Sequence, residues 1–71
     1  MKKLLFTFGV GTKHRGKCVI ITCVYEMLAR TYVYEKYGQD NVAGVYDYDK
    51  YSHLIEKYDY EVVEERSICV N

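Results

Sequence analysis

Residues 2–9 alternate weakly between two faces: Leu4, Phe6 and Phe8 share one, and Lys3, Leu5 and Thr7 share the other. A period of two with aromatic residues predicts a strand. Residues 9–16 carry three glycines among polar and basic residues and read as a loop. Residues 17–25, Lys-Cys-Val-Ile-Ile-Thr-Cys-Val-Tyr, are rich in β-branched side chains and predict a second strand. Joined by that loop, the two strands form an antiparallel hairpin. Residues 18–29 also admit a buried helix, because short apolar runs are ambiguous.

The period then changes. Leu28, Ala29, Tyr32, Val33 and Tyr37 form one apolar stripe at helical spacing, which predicts a helix over 26–37. Gly38 follows where a C-terminal glycine is favoured, and Lys36 suits the negative end of the helix dipole. No good capping residue precedes the helix. Residues 41–48 read as a third strand. Residues 50–58 read as a short helix, with Tyr51, Leu54, Ile55 and Tyr58 as its core face and Asp49 as its N-cap. Residues 60–70 read as a last strand, with Tyr60, Val62 and Glu64 on one face and Glu61, Val63 and Glu65 on the other. Its polar centre marks it as an edge strand or one that ends early. The expected fold is α+β: a small, mostly antiparallel sheet in ββαβαβ order, with one or two helices packed on one face.

The 71 residues make one compact domain, 1–71, with no repeat, linker or low-complexity segment. A core of this size is marginal. Apolar burial at roughly 25 cal/mol per Å² barely exceeds conformational entropy at this length. Pairing of a tyrosine-rich face with a second copy would help, so a homodimer or a partner-dependent protein is expected.

Charge changes the picture by its distribution. Ten Lys+Arg balance ten Asp+Glu, yet residues 1–38 carry seven bases and two acids, while 39–71 carry three bases and eight acids. The halves stand at +5 and −5. Such asymmetry points to a charged partner, to head-to-tail pairing, or to opposite charges meeting across one sheet. Three cysteines, Cys18, Cys23 and Cys69, make a poor disulfide framework. The apolar start is broken by Thr7 and Gly9, short of a secretory signal core. No stretch approaches the ~20 apolar residues of a membrane span. A reduced, cytoplasmic protein without a membrane partner is expected.

Two segments carry candidate chemistry. Gly11-Thr12-Lys13-His14-Arg15-Gly16-Lys17-Cys18 follows a strand and fits the phosphate-loop pattern G-x-x-x-x-G-K-[S/T] except at its last position. Cys18 replaces the hydroxyl that binds magnesium and is a poor ligand for a hard cation. Nucleotide hydrolysis would also need a multistranded parallel sheet too large for this chain. The loop still concentrates Lys13, His14, Arg15 and Lys17, an anion- or nucleic-acid-binding candidate with Tyr34 or Tyr37 as stacking partners. Alternatively it is a solvated hairpin loop. The second segment, Tyr46-Asp47-Tyr48-Asp49-Lys50-Tyr51, continues in Tyr58-Asp59-Tyr60-Glu61. Tyrosine gives large contact area at low entropy cost, and interleaved acids steer toward a basic surface. Tyr46, Tyr48, Asp49, Tyr60 and Glu61 are the protein-binding candidates. The simpler reading makes Tyr51 and Tyr58 core residues and the aspartates caps and turn residues.

No cofactor or metal site is expected. Cys18 and Cys23 point to opposite faces of a strand, and His14, His53 and Cys69 lack ligand spacing. Nothing in the sequence places a nucleophile beside a base. The expected function is non-enzymatic binding of another protein, with nucleic-acid or nucleotide binding through residues 11–17 as the alternative. In size, neutral charge and richness in tyrosine and acids, the whole chain resembles small accessory proteins of bacteriophages and mobile elements, including anti-CRISPR and other anti-defence inhibitors. That resemblance implies stoichiometric binding to a host protein. It carries over no functional residue.

Overall fold

A computed structural model describes residues 1–68; Cys69 and the end of the last expected strand lie outside the described residues. The elements follow the order read from the sequence: β1 (Lys2–Phe8), β2 (Lys17–Cys23), α1 (Glu26–Tyr37), a 3₁₀ turn at Gln39–Asn41, β3 (Val42–Asp47), α2 (Tyr48–Tyr51), α3 (His53–Lys57) and β4 (Glu61–Ile68). The expected helix over 50–58 is instead two short helices. The first begins earlier than expected, because Asp47 and not Asp49 is its cap: the Asp47 carboxylate accepts the Asp49 N–H at 3.1 Å.

The strands lie in one sheet in the order β3-β1-β2-β4. β1 pairs antiparallel with both β2 and β3, and β4 runs parallel to β2 at the sheet edge. The fold is therefore α+β with a mostly antiparallel sheet, as expected. The helices, expected on one face, are divided between both. Leu4, Phe6 and Phe8 of β1 join Val19, Ile21 and Cys23 of β2 under Ala29 and Val33 of α1. On the opposite face Leu5, Cys18 and Ile20 are covered by Tyr46, Tyr48, Leu54, Ile55 and Tyr60. This explains why the alternation in β1 and β2 is weak: a strand buried on both faces reads as a continuous apolar run. It also places Cys18 and Cys23 in opposite layers. Burial pushes both thiols up, that of Cys18 to about 11.

Local chemistry fixes the ends of α1. Tyr25 stands at its N-cap without a side-chain cap bond, as the sequence suggested. At the other end Gly38 adopts φ 92°, which favours glycine, and its N–H donates to the Tyr34 carbonyl at 2.9 Å. The Asn41 amide donates to the Tyr37 carbonyl at 2.7 Å, satisfying one more open helix end.

Gly44 on the edge strand β3 has a different reason for being glycine. A Cβ there would stand 2.5 Å from the Tyr46 hydroxyl oxygen and 2.6 Å from its ring. The Tyr46 ring lies over Gly44 and helps close the second layer. Gly44→Ala is therefore expected to displace the Tyr46 ring and lower stability by about 1–3 kcal/mol. In a Tyr46→Ala background the same change should cost far less, read by urea denaturation as non-additivity.

Candidate functional site

The acidic and tyrosine-rich segment folds as the layer formed by α2, α3 and the ends of β3 and β4. Tyr46, Tyr48 and Tyr60 are half-buried and pack against Leu5, Cys18 and Ile20. The Lys3 ammonium sits 4.1 Å over the Tyr48 ring, and burial, followed by the neighbouring Tyr46 and Tyr58 rings, raises the Tyr60 phenol above its ordinary range. These three rings support the fold. The rings offered to solvent are those the simpler reading had assigned to the core: Tyr51 is 41 % exposed and Tyr58 56 %. Tyr51 lies 5.3 Å from Tyr46 and 6.3 Å from the His53 ring, and Tyr58 lies 5.9 Å from Tyr60. Each exposed ring is thus propped by a half-buried one. Asp47, Asp49, Glu56 and Asp59 are exposed along this layer together with Lys50 and Lys57. The Lys57 ammonium lies 5.4 Å from the Tyr58 ring centre. Glu61, by contrast, points to the α1 side of the sheet. Asp49 also lines a cavity of about 310 Å³ with Lys2, Lys3, Glu26, Arg30 and Asp47.

The glycine-rich loop is built differently from a phosphate cradle. It leads into strand β2, not into a helix. Several of its N–H groups are used internally: Thr12 donates to the Gly9 carbonyl at 3.1 Å, Arg15 to the Thr12 carbonyl at 3.2 Å and Lys17 to the His14 carbonyl at 3.1 Å. The His14 N–H donates to the Thr12 hydroxyl at 3.3 Å. Lys13 and Arg15 are exposed, whereas His14 is half-buried, its ring 5.1 Å from Phe8 and 5.2 Å from Tyr37. The Tyr37 ring is therefore packed within the protein, tilted on Phe8 and edge-on to His14. Tyr34 is held by Arg30, whose guanidinium donates to its hydroxyl at 2.9 Å.

No family model, curated protein or solved structure matches this chain.

The strongest local electrostatics lie elsewhere, at Glu64. A bulge shifts the β2–β4 register between Cys18 and Val19, so that Cys18 opposes Val62 while Val19 opposes Glu64. Val63 is the extra residue. Without it, strict alternation would keep Glu64 on the same face as Val62. With it, Glu64 turns beneath α1, its side chain only 11 % exposed, and Val62 and Val63 stay at the surface. The Tyr32 hydroxyl donates to one Glu64 oxygen and the Tyr37 hydroxyl to the other at 2.6 Å. Lys36 Nζ donates at 3.1 Å and Arg66 Nε at 2.8 Å. Burial alone would raise this carboxyl, but the four donors outweigh it and hold it down at about 2. The Tyr37 phenol moves the other way, to about 12, through burial first and its bond to the carboxylate second. Glu64 thus ties β4 to α1. With Lys3–Glu65 at 3.9 Å and Lys17 opposite Glu61, it shows the basic first half meeting the acidic second half across the sheet.

Because the folded carboxyl titrates below its ordinary value of 4.5, its stabilisation is complete above that pH and is lost as pH falls toward 2. Lys36 and Arg66 are half-exposed, so the loss is on the order of 2 kcal/mol. Denaturant titrations at pH 7 and pH 2.5 should show it. Glu64→Gln should be less stable at pH 7 and lose less on acidification.

Proposed function

We propose that this protein is a non-enzymatic binding module that holds a basic surface of another protein against its α2–α3 face. The observation that carries the reading is the pair of exposed rings, Tyr51 and Tyr58, among four exposed carboxylates, each ring packed against Tyr46 or Tyr60. A rigid aromatic anchor orders little side-chain entropy on binding, and carboxylates around it accelerate encounter with a basic partner. In a protein of 71 residues such a face acts by occupancy, by covering a surface that its partner needs. Inhibition of a host defence protein, in the cytoplasm and at fixed stoichiometry, is the form of this function that the resemblance to phage accessory proteins favours. A homodimer is compatible with the module when the two copies meet away from this acidic face, where like charges oppose self-pairing.

The second reading, nucleic-acid binding by Lys13, His14, Arg15 and Lys17, is favoured by one observation: Lys13 and Arg15 extend from the loop into solvent. It has weaker support, because the backbone N–H groups of Thr12, His14, Arg15 and Lys17 are committed to turns and the Tyr37 ring is packed against Phe8 and His14.

The test is affinity capture from bacterial lysates treated with nuclease, with three forms of the protein. The wild type should retain one protein at constant stoichiometry. The Tyr51→Ala/Tyr58→Ala double variant should lose it while remaining folded by circular dichroism, since neither ring belongs to the buried core. A Lys13→Ala/Arg15→Ala/Lys17→Ala variant should retain it. Loss of capture only in the loop variant, or recovery of salt-eluted nucleic acid when nuclease is omitted, would replace this function with the second reading.

A further inference from the structure

We infer that the groove between α1 and β4 binds a free α-amino acid with a large apolar side chain. The inference is separate from the protein-binding reading and concerns a different face.

The groove has a volume of about 580 Å³. Small-molecule sites span roughly 300–1,000 Å³, mostly apolar with a few placed polar groups. Here the lining is sorted along the length of the groove. Glu64 bonds to Tyr32, Lys36 and Tyr37, and Arg66 lies over Tyr32. Later residues of β4 therefore stand opposite earlier residues of α1. Ile68 stands toward Met27 and Leu28, and these three make the apolar end. Glu35 lies about two helical turns beyond Leu28 and, with Arg66, makes the charged end. Thr31 and Ser67 complete the lining between them.

Both charges at that end are available to a ligand. Two cations, Lys36 and Arg66, meet the single Glu64 carboxylate, so one positive charge is in surplus. Arg66 gives its Nε to Glu64 at 2.8 Å, and its guanidinium lies 5.2 Å over the Tyr32 ring. These contacts hold the guanidinium in place and leave the N–H groups of its amino nitrogens for a planar anion. Glu35 is exposed and forms no salt bridge among the described residues.

One ligand chemistry answers all of these groups. A carboxylate suits the Arg66 fork, and an ammonium suits Glu35. An apolar chain suits Met27, Leu28 and Ile68, where the flexible, 76 % exposed Met27 folds over it. An α-amino acid carries both charges on one carbon and its side chain on the same carbon, directed away from them. The two glutamate and arginine charges also exclude simpler amphipaths. A fatty acid would set its carboxylate near Glu35, and an alkylamine would set its ammonium near Arg66.

The test is an NMR titration of the full-length, ¹⁵N-labelled protein with L-leucine. Leucine should shift amide resonances of residues 27–35 and 66–68, saturably, and leave β3 and α2–α3 unmoved. Isocaproate is leucine without its ammonium, and isoamylamine is leucine without its carboxylate. Each should bind about tenfold more weakly or worse, as expected for one lost charge-assisted contact. Glycine, which lacks the apolar chain, should give no saturable shift over the same range. Glu35→Gln, at an exposed helix position, should weaken leucine binding about tenfold and leave isocaproate binding no weaker. Arg66→Gln should weaken leucine and isocaproate together. Glu65→Gln, on the other face of β4, should change nothing. Because Arg66 also supports Glu64, the ligand series on the wild-type protein decides the matter if that variant unfolds. No saturable shift with leucine, shifts centred outside residues 27–35 and 66–68, or isocaproate or isoamylamine binding as tightly as leucine would each overturn the proposal.

Discussion

Everything in this fold depends on a sheet whose two central strands, β1 and β2, are buried on both faces. Leu4 and Phe6 face one layer and Leu5 the other; Val19 and Ile21 face one and Ile20 the other. A chain of 71 residues has one long helix to offer, and α1 is used on the first face. The second face must be closed by two short helices and whatever side chains are large enough to bridge the gaps between them. That requirement accounts for much of the tyrosine content. Tyr46, Tyr48 and Tyr60 fill the second layer with apolar ring area while their hydroxyls stay near water. Gly44 belongs to the same solution, since the Tyr46 ring occupies the space that a side chain at position 44 would need.

The second constraint is the Val63 bulge. It leaves two valines at the surface and takes a carboxylate beneath a helix, which is the reverse of ordinary burial. The arrangement holds because four donors converge on Glu64 and because Tyr32 and Tyr37 lie one and a half turns apart on α1, facing the strand. The bulge also sets the faces of β4: Glu64, Arg66 and Ile68 share the α1 side with Glu61, and Glu65 and Ser67 share the other with Val62.

Most of the fold was legible in the sequence because it depends on local period and on glycine and turn chemistry. The bounds of α1 at residues 26 and 37 follow from one apolar stripe and Gly38, and the edge position of β4 follows from its polar centre. Two things were not legible. A one-residue bulge reverses the faces of everything after it, and nothing in Val62-Val63-Glu64-Glu65 announces which residue is skipped. The division of helices between two faces was also hidden, because a strand buried on both sides has no alternation to report. The candidate site inherited both difficulties. The acidic, tyrosine-rich segment folds as one layer, but helical spacing assigns Tyr51 and Tyr58 to its core. The short helices instead turn Leu54 and Ile55 inward and leave those two rings outside. The basic loop was located correctly as a hairpin loop, while its use of its own N–H groups depends on turn geometry that residue types alone do not specify.

Native-state amide hydrogen exchange at low protein concentration tests this account most directly, because it reads burial and edge exposure residue by residue. The slowest amides should belong to β1 and β2, with both layers protected together, and β4 should show fast exchange at alternate positions along its free side. Uniform slow exchange along β4, or protection confined to the α1 face while β3 and the α2–α3 layer exchange freely, would contradict a two-sided core with β4 at its edge.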